Sequence, residues 1–242
     1  MKKLYEKSQL GFALGWIGAY VVLFSLADGL SETLGVEKVL TAPLGILMAG
    51  VLLMWIMRSG LQKKFGLVKV NDPKRFLYFL PLLLPVSMNL WCGVQLNMSV
   101  PETVLYVLSM LCVGVIEEVL FRGFLLRAMS AQSPKWAVVV SSVTFGLGHI
   151  VNLLNGADFI PTLLQVIYAT AMGFLFTVIV LRSGSLLPCI AAHSLVNGLS
   201  AFSVEQQLAT QVVFAGVLTL FAVGYALLLL RPQGNGTKGD LY

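Results

Sequence analysis

Long apolar runs dominate this sequence and restrict the folds open to it. An α-helix needs about 17 to 25 predominantly apolar residues to cross a bilayer, and runs of that length recur along the 242 residues. Hydrophobic residues make up 57% of the chain and charged residues 11%, which leaves too few polar side chains for a water-soluble domain. The sequence therefore predicts an all-α fold, a polytopic bundle of transmembrane helices in the cell membrane.

The apolar runs divide into eight predicted spans joined by short connections. We place them at 9–27, 39–57, 76–94, 102–127, 135–153, 161–181, 185–201 and 208–230. We expect residues 1–230 to form a single transmembrane domain. Residues 231–242 are rich in glycine and polar side chains, so we expect a disordered cytoplasmic tail.

The positions of lysine and arginine predict the orientation of the bundle. If the eight spans alternate in direction, all but Lys38 and Arg122 of the 16 lysines and arginines fall at one end. This basic end carries Lys2, Lys3, Lys7, Arg58, Lys63, Lys64, Lys69, Lys74, Arg75, Arg127, Lys135, Arg182, Arg231 and Lys238. The opposite, acidic end carries Asp28, Glu32, Glu37, Glu102, Asp158 and Glu205. Because positively charged loops stay in the cytoplasm, we expect both termini there.

Charge and cysteine usage exclude several other classes of protein. The net charge of +5 arises from this one-sided distribution, so we expect the lipid bilayer as a partner and no nucleic acid. The three cysteines lie in apolar runs without CxxC or Cys/His spacing. This pattern indicates neither a disulfide framework nor a thiolate metal site.

The stretch "GVIEEVLFRG" places two glutamates and an arginine inside the fourth span. Ionisable side chains at membrane depth cost about 2.5 to 3.5 kcal/mol each and usually mark function. The only two histidines, His149 and His193, also lie within spans. With a rise of 1.5 Å per residue, Glu117 and both histidines lie about 15 to 20 Å from the basic end. All three are therefore expected near the middle of the membrane.

The spacing of the charged residues suggests different tasks for the two glutamates. Glu118 and Arg122 stand at i and i+4, which favours an ion pair on one helix face. Glu117 points about 100° away and has no compensating charge in its own helix, which suits a general base. The alternative is that both glutamates belong to a polar cluster that joins helices.

Two further motifs place a histidine four residues from a second side chain. In "HSLVN", His193 and Asn197 share a helix face and can both direct donors at an oxyanion. In "FGLGH", His149 can orient a water against Glu117, and Phe145 is most simply explained by packing. Alternatively, each histidine bonds a backbone carbonyl or a hydroxyl of a neighbouring helix.

The three motifs together resemble a known family. "EEVLFR" fits EExxxR, "FGLGH" fits FxxxH and "HSLVN" fits HxxxN. This order resembles the CPBP (Abi) family of intramembrane proteases, which includes type II CAAX prenyl endopeptidases and bacteriocin-processing or self-immunity proteins. The resemblance implies a catalytic core at 102–201. Its implied roles are a water activated by Glu117 with His149, an oxyanion hole of His193 with Asn197, and support from Glu118 and Arg122.

Other intramembrane proteases lack their signatures in this sequence. There is no HExxH, no GxSG, and the only Gly-Asp pair lies in the tail. We therefore expect direct attack by water and no certain cofactor. A divalent metal, zinc, is the alternative, because Glu117, His149 and His193 are three ligands of a suitable kind.

The leading hypothesis is a glutamate-dependent intramembrane endopeptidase. Its partner would be a membrane-embedded or lipid-modified peptide or protein, which we expect to approach from the cytoplasmic leaflet. A second hypothesis is a non-catalytic membrane scaffold or bacteriocin self-immunity protein. A third is a proton-coupled transporter that uses Glu117, Glu118 and His149 as a relay.

Overall fold

Helices account for nearly all of the regular structure in the computed structural model, which describes residues 1–70 and 79–231. The start of the third predicted span and the predicted tail after Arg231 lie outside these residues. In chain order, the helices are α1 (Lys2–Lys7), α2 (Gln9–Thr33), α3 (Thr41–Arg58), α4 (Leu80–Leu90), α5 (Val100–Ser130), α6 (Pro134–Gly148), α7 (Val151–Leu154), α8 (Phe159–Ser183), α9 (Leu187–Phe202) and α10 (Leu208–Leu230).

Six helical segments among the described residues are long and apolar enough to cross a membrane. They are α2, α3, α5, α6 with α7, α8 and α10. The third and seventh predicted spans correspond to the shorter apolar helices α4 and α9. In α4, short 3₁₀ turns flank a single α-helical segment, and Pro81 and Pro85 remove backbone donors. The predicted helical membrane bundle is confirmed, with two of its eight segments too short to be simple spans.

Contacts between the connecting segments define two ends of the bundle. At the acidic end, the Glu37 backbone N–H donates to the Glu102 carboxylate at 3.2 Å. At the basic end, Lys64 Nζ donates to the Gln9 side-chain oxygen at 3.0 Å, and Leu186 N donates to the Gly66 carbonyl at 2.7 Å. The helices therefore alternate in direction as predicted, whereas the side of the membrane that each end faces stays a prediction.

The basic end is closed by packed aromatic rings, here called the aromatic cluster. The Phe65 and Phe124 rings lie 4.9 Å apart, and the Phe12 and Trp55 rings are also 4.9 Å apart. Tyr5 of α1 packs edge-on against Trp55 at 5.4 Å. Phe65 and Phe124 are 1% and 2% exposed, so this end of the bundle is a dense apolar core.

Helix α5 runs through the middle of the bundle and contains a wider, π-helical segment. Residues Val119–Leu125 form a π-helical segment, and all seven are buried. A π-helical turn carries extra residues and turns the side chains that follow it; such turns are frequent at functional sites. Here the segment separates Glu118 from the end of the helix and contains Arg122.

A close approach of two helices sets the position of α9 on α5. A Cβ on Gly114 would lie 2.6 Å from the Ser194 backbone nitrogen, so no larger residue fits without a shift. Ser194 Oγ also donates to the Leu111 carbonyl of α5 at 2.9 Å. Small residues let membrane helices approach in this way. The contact places His193, the neighbour of Ser194, beside the two glutamates.

Candidate active site

The predicted ion pair is present in the middle of α5. Arg122 Nη1 donates to Glu118 Oε1 at 2.9 Å, and both side chains are fully buried. The Phe145 ring covers the guanidinium at 4.1 Å from its central carbon, a cation–π contact. Gly173 of α8 leaves room for the charge, since a Cβ there would lie 3.0 Å from Arg122 Nη2. Phe145 therefore packs on the ion pair itself.

His193 of α9 bridges the two glutamates. Its Nδ1 lies 2.9 Å from Glu118 Oε1, and its Nε2 lies 3.6 Å from Glu117 Oε2. The rings of Phe145 and Phe176 flank the imidazole at 5.5 and 5.9 Å. The partner of His193 is thus a carboxylate, and neither a backbone carbonyl nor a hydroxyl as in the alternative interpretation of the sequence.

Glu117 is held by a residue that the sequence analysis did not identify. The Tyr20 hydroxyl of α2 donates to Glu117 Oε1 at 2.7 Å. The available signal was weak: a tyrosine in the middle of an apolar span needs a partner for its polar tip, but nothing in the sequence points to Glu117. The bond joins the first span to the fourth and restrains one oxygen of the carboxylate.

The two glutamates differ in their access to a cavity. Glu118 is 0% exposed, whereas Glu117 is 9% exposed and lines a cavity of about 650 Å³. Tyr20, Phe145, His149 and Asn197 also line this cavity. Glu118 and Arg122 do not, so the ion pair lies behind Glu117.

His149 and Asn197 reach the cavity from separate helices. His149 ends α6, where 3₁₀-type backbone bonds lead into α7; its ring stands edge-on to Phe145 at 5.6 Å. Asn197 lies one turn after His193 on α9. Neither side chain hydrogen-bonds to another residue in the part of the chain that the structure describes. Both are thus free to bind a molecule in the cavity.

The residues proposed as alternative zinc ligands come from three helices. His193 Nε2 lies 3.6 Å from Glu117 Oε2, and His149 directly follows the last residue of α6. Within residues 1–70 and 79–231, no group of three His, Cys, Asp or Glu side chains is placed to hold a metal ion. Metal dependence is therefore tested by chelation.

Comparison with known families gives a match for the middle of the chain. Residues 99–199 match the family described as Rce1-like, type II CAAX prenyl endopeptidase. The matched range begins at the N-cap of α5 and ends in α9, so it contains all three motifs. No curated protein and no solved structure matches the chain. The family match confirms the resemblance that the motifs predicted.

Proposed function

We propose that this chain, whose residues 99–199 belong to the Rce1-like family of type II CAAX prenyl endopeptidases, is an intramembrane endopeptidase that uses Glu117 to activate water. Its substrate is a membrane-associated or lipid-modified peptide or protein. The family supports a protease; the glutamate mechanism and the roles of individual residues are this proposal.

The observation that carries the mechanism is the environment of Glu117. The Tyr20 hydroxyl donates to Oε1, while Oε2 is buried, makes no hydrogen bond with the described residues and faces His193 Nε2 at 3.6 Å. Because Glu117 lines the cavity, a carboxylate oriented in this way can accept a proton from a water bound there. His149 lines the same cavity and is suited to orient that water.

In the proposed reaction, Glu117 carries one proton from water to the leaving amine. Glu117 takes one proton from water, and the hydroxide adds to the carbonyl carbon of the scissile peptide bond. The oxyanion formed accepts a hydrogen bond from the Asn197 amide. When the carbon–nitrogen bond breaks, the protonated Glu117 returns its proton to the leaving amine, which leaves two peptide products and the carboxylate as it began.

The contacts of His193 support a role beside the oxyanion. Its Nδ1 faces Glu118 and its Nε2 faces Glu117, so the imidazole lies beside the carboxylate that the proposal places in the reaction. A ring N–H in this position can direct a hydrogen bond toward negative charge that develops next to Glu117. Glu118 and Arg122 act through His193 by fixing its ring.

The decisive variant is Glu117→Gln, which keeps the shape of the side chain and removes its basicity. We expect cleavage of a fluorogenic membrane-anchored peptide by purified protein in lipid to fall by about 10² to 10⁴-fold, with substrate binding retained. Glu6→Gln, an exposed acid of α1, is the matched control. Full activity of Glu117→Gln would eliminate the mechanism.

Two further arms of this assay separate the competing functions. A wild-type protein that cleaves no peptide, lipidated or not, would favour the scaffold or self-immunity hypothesis. Exhaustive chelation tests the zinc alternative: undiminished cleavage argues against a required metal, whereas loss that zinc restores establishes one. A proton-coupled transporter would instead show pH-gradient-driven flux that Glu117→Gln removes.

A further inference from the structure

The cavity that contains Glu117 extends toward one end of the bundle. Its lining residues run from the depth of Glu117 toward the acidic end on every helix that contributes. They fall at 17–28 on α2, 106–121 on α5, 144–155 on α6 and α7, 165–168 on α8 and 196–200 on α9. Asp28, Lys38 and Thr41, at the acidic ends of α2 and α3, complete the wall. The cavity thus extends from Glu117 toward the acidic end, and this space is here called the passage.

The opposite route, from the basic end, is filled by protein. Phe121 lines the floor of the cavity, and Phe124, three residues further on, belongs to the aromatic cluster. The segment after α3 lies across this end, where Ser185 Oγ donates to the Val68 carbonyl at 2.6 Å. Buried rings therefore separate Glu117 from the basic end.

The polar groups of the passage suit a peptide chain. Five carboxamide side chains line it: Asn89, Asn152, Asn155, Gln165 and Asn197. A carboxamide both donates and accepts, as does each peptide unit of an extended backbone. Desolvated peptide groups are costly when unpaired, so these carboxamides can pair the backbone of a peptide, while apolar residues of the same lining, such as Val21, Phe24 and Met110, can pack against its side chains.

The carboxamides are spread along the passage rather than gathered in one cluster. Asn152 Nδ2 donates to Gln165 Oε1 at 2.9 Å, which joins α7 to α8 and leaves further donors and acceptors on both groups. Asn155 is exposed at the acidic end, whereas Asn197 lies near the depth of Glu117. An extended segment can therefore meet a polar partner at several points between the opening and the base.

We propose that an extended peptide segment of the substrate reaches Glu117 through this passage, from the acidic end, with its backbone held by the carboxamides. Because the basic end is the predicted cytoplasmic one, the scissile bond is presented from the extracytoplasmic side. This inference rests on the proposed protease function. It reverses the expectation, drawn from the sequence, of approach from the cytoplasmic leaflet.

Cysteine labelling tests the direction of access without requiring turnover. In a protein whose Cys92, Cys112 and Cys189 are replaced by alanine, single cysteines are introduced by Ser25→Cys in the passage and Lys63→Cys at the basic end. Intact cells are treated with a membrane-impermeant maleimide, before and after permeabilisation. We expect Ser25→Cys to react in intact cells and Lys63→Cys to react only after permeabilisation.

Each outcome of the labelling bears on the proposal. Reaction of the two cysteines from opposite sides, with Ser25→Cys outside, supports it. Reaction of both from the same side, or of Ser25→Cys only from the cytoplasm, overturns it. Failure of Ser25→Cys to react under any condition, when Lys63→Cys does react, also overturns it, because the passage would then be closed to water-borne molecules.

Blocking the passage connects access to cleavage. Before labelling, Asn155→Cys protein should cleave peptide. Attaching a bulky maleimide should lower its cleavage rate at least tenfold, whereas labelled Lys63→Cys protein should keep its rate. Unchanged cleavage by labelled Asn155→Cys would overturn access from the acidic end. It would leave the protease assignment intact, since that assignment fails only if Glu117→Gln stays active or the wild type cleaves nothing.

Discussion

The two halves of the bundle differ in the side chains that lie between the same helices. Toward the basic end, the aromatic cluster packs rings 4.9 to 6.3 Å apart, with Phe65 and Phe124 almost fully buried. Toward the acidic end, the same helices separate around a cavity of about 650 Å³ lined by Glu117, by carboxamides and by apolar side chains. One half is a packed aromatic core, and the other surrounds a cavity of mixed polarity.

The boundary between these halves is the π-helical segment of α5. Arg122 lies within it and is paired with Glu118 one turn earlier. Along α5, Phe124 and Leu125 lie toward the basic end. Glu117 lies toward the acidic end and lines the cavity. On the proposed mechanism, the packed core and the reacting groups are separated along the axis of the bundle. Substitutions in the two halves should therefore fail in different ways.

The largest effect is expected at the boundary itself. Arg122→Ala leaves Glu118 buried without its cation, which should cost about 3 to 5 kcal/mol of unfolding free energy. Thermal unfolding in detergent measures this loss, with Glu117→Gln as the comparison because it removes no partner of Glu118. An unchanged midpoint for Arg122→Ala would refute the structural importance of the ion pair.

Within the basic half, we expect loss of stability without loss of chemistry. Phe65→Ala leaves a cavity between Phe124 and Trp55 and should lower the unfolding free energy by about 3 kcal/mol. Cleavage per folded molecule should be unchanged. Leu220→Ala, at a position 77% exposed on the outer surface of α10, is the control. A lower cleavage rate in folded Phe65→Ala protein would show that the basic half also affects the reaction.

Within the acidic half, the reverse is expected. Asn197→Ala removes one donor to the oxyanion, which should lower kcat by at least about 10²-fold while the unfolding midpoint stays near that of the wild type. Slow cleavage should persist, since Glu117 is intact. Gln62→Ala, an amide at the basic end, controls for general effects of losing an amide. Wild-type kcat in Asn197→Ala would exclude Asn197 from the mechanism.

The smallest effect is expected from loss of the Tyr20 hydroxyl, which positions Glu117. Tyr20→Phe removes one hydrogen bond to Glu117, worth about 1 to 1.5 kcal/mol, so kcat should fall roughly tenfold with KM and the unfolding midpoint unchanged. Tyr5→Phe deletes a hydroxyl of the aromatic cluster that has no partner among the described residues and should leave kcat alone. Equal effects of the two variants would show that Tyr20 does not position Glu117.

Local patterns were enough to predict much of this protein. Span length and composition predicted the membrane bundle, because crossing a bilayer sets how many apolar residues a helix needs. The i, i+4 spacing predicted the Glu118–Arg122 pair, since both residues lie on one helix and their geometry is set locally. The three motifs predicted the family. Each of these depends on residues close in the chain or on counts along it.

Contacts between helices were decided only by the tertiary structure. Tyr20 and Glu117 are 97 residues apart, and no spacing rule relates residues on different spans. The same holds for the bridging of both glutamates by His193, which depends on how closely Gly114 lets α9 approach. Equally, the charge pattern predicts which end faces the cytoplasm, but not which end opens. That depends on where aromatic rings fill the space between helices and where shorter polar side chains leave it empty.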